Sequence, residues 1–345
     1  MAEDETELSD QQKKGIAKWF LINAPAGEIQ YVAKDLKSVL KDDDVYNEAA
    51  AVAFPIYNKS HLIYLKMPGG YGDVLVTSYG ELQDNEYLDP KTAQVVIVDH
   101  VKQVCKRVRP ATDEELPSPY IEEYRFQVSI SLIGPIQIGS SLLSSNLFHC
   151  LLHEGIIPNI YALEAELLKY AAEAYPKGSC AVYCTNGKDV EGPGSDFEFV
   201  VVISAARNSP HNFCNGSWRA IWNIEFRDDI QVLELKGKCQ VGAHYFEEGN
   251  VQLDAKRECR DSTMFQGPDD TATAVVHLIR RHENEYMASL EGSYFDLSDN
   301  TFKELRRKLP VTRTLFPWHN TLQFNLKREI AEELRIGELH DIRRA

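Results

Sequence analysis

The length, composition and charge of the chain exclude several classes of protein. Its 345 residues, 43% of them hydrophobic, can bury a sizeable core in one large domain or two modest ones, which excludes a globally disordered chain. The 37 lysines and arginines against 52 aspartates and glutamates give a net charge of -15, which excludes a general affinity for nucleic acid or anionic membranes.

The cysteines and the N-terminus indicate a cytosolic protein. The seven cysteines are an odd number and lack the paired spacing of a disulfide framework or a zinc site, which is typical of a reducing compartment. The N-terminus is acidic and polar, unlike a signal peptide, and no run reaches about 18 apolar residues. We therefore expect a soluble protein of the cytoplasm.

The first part of the chain predicts three short helices. Ser9 with Gln12 has the form of a capping box, and the apolar spacing that follows is helical until Pro25. Two further helical stripes cover 29–40 and, ending before Pro55, 43–54. Three consecutive helices favour a small antiparallel bundle.

After the predicted helices, the apolar spacing changes to that of strands, and helical patterns follow these strands. Three short strands are predicted at 61–67, 73–79 and 94–100. A helix is predicted to begin near Ser118 and Pro119, and a helical pattern returns from Tyr161 to Tyr175.

The next part of the sequence predicts a sheet covered by a helix. Five strand-like runs are joined by short turns, which predicts an antiparallel meander. The five runs cover 180–184, 196–207, 218–226, 232–246 and 250–264. Trp218 and Trp222 share a face of one run and are expected in the core. A long helix from Asp269 to about Leu290 is expected to pack on the sheet, so the fold class is α+β.

A basic segment and an amphipathic run end the sequence. Positions 303–313 hold five lysines and arginines against one acid, Glu304, so any anionic partner would meet a local positive patch there. A terminal helix based near Trp318 is predicted from apolar side chains at every fourth position, Leu322, Leu326, Ile330 and Leu334. By periodicity alone these side chains either pack on their own domain or bind a partner.

The sequence contains no complete catalytic or metal-binding motif that we recognise. His282 and Glu283 lack the second histidine of a helical zinc motif, because position 286 is a tyrosine. Cys180 and Cys184 have no second pair at zinc-like spacing. No catalytic set can be argued from residue order, so we expect no catalytic residue, metal or cofactor, and a binding role is favoured.

Four groups of residues resemble the F-actin-capping protein alpha subunit family, in its plant-type form. They are YLDP at 87–90 with DH at 99–100, NGSWRAIW at 215–222, HYFEEGNVQL at 244–253 and LRRKLPVTRT at 305–314. The last is the most specific. The similarity in order and spacing covers the chain except 126–160 and about the last ten residues, where the tail is extended.

The resemblance implies a fold and a function. The fold would be a three-helix bundle, a small β region, a central antiparallel sheet of about five strands covered by a long helix, and a C-terminal amphipathic tentacle helix. The function would be to form an obligate heterodimer with a capping beta subunit in the cytoplasm and cytoskeleton. That dimer would bind barbed filament ends independently of Ca²⁺, block subunit addition and loss, and be opposed by acidic phosphoinositides.

The same resemblance implies an actin-binding surface. Lys303, Arg307 and Arg313 occupy the family's actin-contacting basic positions. The apolar side chains of the terminal helix would dock in a hydrophobic cleft. The expected divisions of the chain are 1–57 helical stalk, 58–117 small β region, 118–179 interrupted helix, 180–298 sheet with long helix, and 299–345 basic segment with tentacle.

Residues 126–160 interrupt the family pattern. They contain one acid, Glu154, and no lysine or arginine, in a chain that is otherwise 26% charged. When they are removed, Arg125 meets Tyr161 and the flanks form one continuous apolar helical stripe. We interpret the stretch as an insertion from a retained intron or gene-model error; the alternative is an isoform loop packed by its own apolar residues.

Two other functions stay open at this point. The chain could pair with a beta subunit or an adaptor without capping filaments, if the insertion or the extended tail disables the actin surface. It could also be a cytosolic enzyme, although only scattered cysteines and histidines would support that.

Overall fold

Groups of helices and groups of antiparallel strands follow one another along the described part of the chain, which confirms the α+β class. The structure is a computed structural model that describes residues 8–83, 85–112, 114–116, 156–185, 197–209, 211, 213–227, 232–246 and 251–296. The predicted helix near Ser118 and the predicted tentacle lie outside these residues. Among the described helices, none is long and apolar enough to cross a membrane.

The bundle consists of α1 (Asp10–Ile22), α2 (Ile29–Leu40) and α3 (Asp43–Ser60). The predicted capping box opens α1, since the backbone N–H of Ser9 donates to the Gln12 side chain at 2.9 Å. Leu21 and Phe54 are fully buried where the helices meet. Three helices therefore form one small core, as the stripes predict.

The prediction that α3 ends before Pro55 is wrong. The helix continues through Pro55 to Ser60, although proline lacks the N–H that the helix would use there. Tyr57, beyond the proline, is 1% exposed and its hydroxyl donates to the Pro25 carbonyl at 2.8 Å while accepting from Gly27 N–H at 3.1 Å. This packing outweighs the local cost of the proline.

The small β region contains more strands than the three predicted. A two-stranded ribbon pairs β1 (Tyr64–Lys66) with β2 (Asp73–Leu75). A four-stranded antiparallel sheet follows in chain order: β3 (Glu81–Gln83), β4 (Glu86–Asp89), β5 (Gln94–Asp99) and β6 (Val104–Pro110).

The central sheet is the predicted antiparallel meander. Its strands are β7 (Ser179–Thr185), β8 (Phe197–Ser209), β9 (Cys214–Arg227), β10 (Val232–Tyr245) and β11 (Val251–Met264). Each pairs with its neighbour in sequence, which leaves β7 and β11 at the two edges. The meander is therefore confirmed, with β11 as a 14-residue edge strand.

Two helices cover one face of the central sheet. They are α4 (Ile156–Ala174) and α5 (Pro268–Asp296), which pack against each other, against buried residues of β7 to β10 and against partly buried residues of β11. The opposite face packs on the β1–β2 ribbon near β7 and β8. Trp218 and Trp222 lie in the helix-covered core, as predicted, at 4% and 0% exposure.

Helix α4 begins earlier than the sequence pattern predicts. It starts at Ile156 rather than Tyr161, so the last five residues of the predicted insertion, 156–160, are helical. Pro158 lies in the first turn, where a missing N–H costs no helical hydrogen bond. The remainder of the insertion lies outside the described residues.

Candidate functional site

The predicted actin-binding residues all follow the described part of the chain. These residues, outside the described ranges, are Lys303, Arg307, Arg313, Leu322, Leu326, Ile330 and Leu334. Helix α5 ends at Asp296, seven positions before Lys303 in the sequence.

A buried carboxylate on α5 holds that helix to the core. Glu283 is 0% exposed, and its Oε2 accepts hydrogen bonds from the hydroxyls of Tyr170, on α4, and Tyr175, the latter at 2.7 Å. Its Oε1 accepts from Trp222 Nε1, on β9, at 3.2 Å. Burial, followed by the Glu283 charge, raises the pKa of both tyrosines, so they stay protonated donors. Three donors compensate the buried charge.

The ring of Trp222 reaches Glu283 because β10 has a glycine beneath it. Trp222, Gly237 and Cys259 stand in register across three adjacent strands. A Cβ at Gly237 would lie 2.4 Å from the Trp222 ring and 2.7 Å from Cys259 Sγ. No larger residue fits at position 237 with the tryptophan in this place.

His282 and Glu283, the pair that fell short of a zinc motif, are both used structurally. His282 Nε2 lies 2.7 Å from Asp261 Oδ2 on β11, and Arg281 pairs with the same carboxylate. Cys180 is buried and desolvation raises its pKa to about 12, as for an inert thiol. Among the described residues, no group of three potential ligands could hold a metal ion.

The motif residues on β9 and β10 join the bundle to the sheet. Glu28, which precedes α2, accepts from Asn215 Nδ2 at 2.7 Å, and the same oxygen lies 2.6 Å from His244 Nδ1. Arg219 donates from NH1 to the Ser60 carbonyl at the end of α3, at 2.6 Å. Three side chains of the sheet thus fix the loop and helix ends of the bundle.

The YLDP and DH motifs form a second buried junction. The His100 ring lies 3.2 Å from the Tyr87 hydroxyl through Nε2 and 3.1 Å from Asn58 Nδ2 through Nδ1. Asn58 also donates to the His100 carbonyl at 3.0 Å. Asp89 accepts from Thr92 Oγ1 at 2.7 Å. These motif residues position α3 against the small β region.

Two surfaces of the described chain lack cover. The outer edge of β11 pairs with no strand among the described residues. The bundle exposes large apolar side chains, including Trp19 at 61%, Tyr31 at 53% and Val39 at 76%. An open strand edge and large exposed apolar side chains are features of an interface with another chain.

Several of these junction residues lie in the four motifs, but the motifs alone indicate no role for them. Glu28 lies outside every one of those motifs. Its only local signal is an acid just before a helix, since its partners Asn215 and His244 lie 187 and 216 positions away. In the sequence, Glu283 stands out only as half of an incomplete zinc motif.

Known proteins resemble this chain over most of its length. The chain is 62% identical over 334 residues to the F-actin-capping protein subunit alpha of Arabidopsis thaliana, covering 97% of each chain. It is 32% identical over 322 residues to that of Dictyostelium discoideum, covering 93% of this chain and 99% of the relative.

One solved structure has the same fold. It is the homodimeric actin capping protein alpha subunit from Plasmodium berghei, at 19% identity and a TM-score of 0.63, covering 88% of this chain and 98% of that one.

The family model of the F-actin capping protein alpha subunit matches residues 17–132 and 153–329. The interval 133–152 lies inside the predicted insertion and is shorter than it. The match and the fold together place this chain in the F-actin capping protein alpha subunit family.

Proposed function

We propose that the chain is the alpha subunit of a heterodimer that binds barbed ends of actin filaments and blocks subunit addition and loss there, independently of Ca²⁺. One observation carries the proposal. The family match runs to residue 329 and so includes Lys303, Arg307, Arg313, Leu322 and Leu326. Ile330 and Leu334 continue the same stripe beyond the match. The role is one of binding, with no catalysis or cofactor.

Local charge supports the actin-binding assignment. The chain carries a net charge of -15, yet five of the residues in 303–313 are basic and one is acidic. A positive segment next to an amphipathic helix suits a partner that offers an acidic surface beside a hydrophobic cleft. Acidic phospholipids would compete for the same segment.

A capping beta subunit is the proposed partner. The 14-residue edge of β11 could extend the central sheet with a strand from a second chain. The exposed apolar side chains of the bundle, Trp19 and Val39 among them, would be covered in the same assembly. We place this dimer in the cytoplasm, associated with the cytoskeleton.

The test is elongation of pyrene-labelled actin from filament seeds. The chain is co-expressed with a capping beta subunit, and the dimer is added with a Ca²⁺ chelator present. We expect barbed-end elongation to stop, and the dimer truncated after Thr314 to cap more weakly. A dimer that forms but leaves elongation unchanged would show a binding module without capping activity, and the proposal would be wrong.

A further inference from the structure

Two cysteine thiols meet between the last two strands of the central sheet. Cys239 lies on β10 and Cys259 on β11, and both pack in the core that α5 covers. Cys259 stands directly opposite Gly237, which lies two residues before Cys239 and so on the same side of β10. The two thiols are close enough to share a hydrogen bond. Only a short movement therefore separates the sulfur atoms from a bonded distance of about 2 Å.

The missing side chain of Gly237 gives the Cys259 sulfur its place beside β10. Cys259 Sγ lies over this glycine and donates to the Gly237 carbonyl oxygen at 3.7 Å. A Cβ at position 237 would lie 2.7 Å from the sulfur, which is too close for atoms that are not bonded. Any larger residue there would push the Cys259 thiol away from β10, and so away from Cys239.

The two thiols differ in their exposure to solvent. Cys239 is 1% exposed, whereas Cys259 is partly exposed. On the same side of β11, the neighbours of Cys259 are Arg257 and Asp261, and both pair with side chains of α5. Cys259 therefore lies at the margin of this helix, and a small oxidant would meet it before it meets Cys239.

The surroundings also favour a thiolate on Cys259. The hydrogen bond from Cys239 lowers the pKa of Cys259, burial opposes that effect, and the Arg257 charge lowers the pKa further. The same hydrogen bond, followed by burial, raises the pKa of Cys239. Because the thiolate is the nucleophilic form of cysteine, Cys259 suits the attacking thiol and Cys239 the thiol that reacts second.

We propose that Cys239 and Cys259 are a redox modification site, at which hydrogen peroxide converts the two thiols into a reversible disulfide. The Cys259 thiolate attacks one peroxide oxygen, the O–O bond breaks, and the released hydroxide takes up the proton that Cys259 had lost. The product is a sulfenic acid and one water.

The second step closes the disulfide. The Cys239 sulfur attacks the sulfenic sulfur of Cys259, the S–S bond forms, the S–O bond breaks, and hydroxide leaves with the Cys239 proton as a second water. Two thiols and one peroxide thus give one disulfide and two waters. The bond joins the edge strand β11 to β10, and cellular thiols would reverse it, as is typical of disulfides in a reducing compartment.

Peptide mapping of the peroxide-treated dimer tests the proposal. The dimer with a capping beta subunit is treated with hydrogen peroxide, its remaining thiols are alkylated in denaturant, and the digest is analysed by mass spectrometry without reduction. We expect a peptide that joins Cys239 to Cys259, two hydrogens lighter than the reduced pair, and its loss after dithiothreitol. Cys180 is the internal control and should stay reduced, because burial raises its pKa to about 12.

Two single substitutions separate the roles of the thiols. Cys239→Ala should trap the sulfenic acid, so that dimedone labels Cys259 more strongly than in the parent dimer. Cys259→Ala should leave Cys239 unmodified, because the remaining thiol is buried. The mapping of the parent dimer needs no substitution, so it decides the proposal even if a variant does not fold.

Three outcomes would overturn the inference. One is that Cys239 and Cys259 both remain thiols at a peroxide dose that oxidises other cysteines of the dimer. Another is a disulfide from Cys259 to a different cysteine of either subunit. The third is equal dimedone labelling of Cys259 in the parent and in Cys239→Ala, since Cys239 would then not react with the sulfenic acid.

Discussion

Glu283 shows how one buried side chain can determine where an element lies. Its carboxylate is held by donors from α4, from Tyr175 just beyond it, and from β9. The sequence could not predict this role, because Tyr170 is 113 positions away and Trp222 is 61. Only the folded arrangement shows that the acid belongs to the core.

Glu283→Gln should destabilise the dimer by roughly 2 to 4 kcal/mol, since an amide N–H₂ would oppose a buried donor and the charged hydrogen bonds would be lost. Thermal unfolding of the dimer with its beta subunit measures the effect. The matched control is Glu285→Gln, two positions along the same helix, whose carboxylate is half-exposed and pairs with Arg257 and Arg281 at the surface. The control should lose little stability. Equal losses for the two variants would contradict the role of Glu283.

Gly237→Ala should destabilise the protein by roughly 1 to 3 kcal/mol, because the new methyl group overlaps the Trp222 ring. Gly216→Ala is the control: it also lies in a strand of this sheet, and its Cβ would meet nothing closer than 3.5 Å. Chemical denaturation of both dimers provides the comparison. A Gly237→Ala dimer as stable as the control would mean that the tryptophan moves aside without cost.

At the scale of elements, the sequence predicted those helices and strands whose apolar residues follow a regular spacing. The helices of the bundle, the five-stranded meander and α5 follow from spacing and turn residues. The end of α3 does not follow from spacing, because the burial of Tyr57 keeps the chain helical after Pro55. Strands β3, β4 and β6 were missed. The first two are only three and four residues long, too short for an alternating pattern to stand out. Strand β6 holds three basic residues and a proline among its seven residues, which does not resemble a strand pattern.

The actin-binding residues were predicted through the motif resemblance, and they stay a prediction, because they lie beyond the described residues. Charge and periodicity alone do not show whether the basic segment and the apolar side chains of the terminal helix bind a partner or only serve their own domain. The junction side chains were harder, because a bond such as Asn215 to Glu28 depends on the register between β9 and the bundle. No local pattern contains that register.

Replacing Lys303, Arg307 and Arg313 together with alanine should slow capping, because exposed charges speed the encounter with filament ends. The loss should shrink at high salt, which screens such charges. Seeded elongation at two ionic strengths measures both effects.

The matched control is a triple alanine variant of exposed basic residues in the bundle and small β region, at Lys34, Lys66 and Arg107. It removes the same charge but should slow capping much less. A triple variant of the basic segment that caps like the parent at low salt would refute the actin-surface assignment.

At the scale of the whole molecule, the chain should be unstable without a partner. The open edge of β11 and the apolar side chains of the bundle would be exposed to water or to other copies of the chain. Expression without a beta subunit should yield aggregated or polydisperse protein by size-exclusion chromatography. A monodisperse chain with a cooperative thermal transition would contradict this expectation.

Deleting the interval 133–152, which the family model does not match, should raise the stability of the dimer or lower its aggregation. This deletion leaves α4 complete, whereas deletion of 126–160 also removes its first five residues. Thermal unfolding compares both with the parent. A 133–152 deletion that melts lower, together with transcripts that always include these codons, would show that the segment is a true part of the protein.

The Glu283 hydrogen bonds also have a consequence for folding, which we expect to end with the docking of α5. The strands of the meander pair with sequence neighbours, so they can close early, whereas α5 must bring a carboxylate to partners on α4 and β9. Until those donors are in place, removing water from the carboxylate is unfavourable. Among the described elements, α5 is also the last to be synthesised, on the order of seconds after β11 at ordinary translation rates. During that interval, the part of the apolar face that α5 covers stays exposed on the nascent sheet.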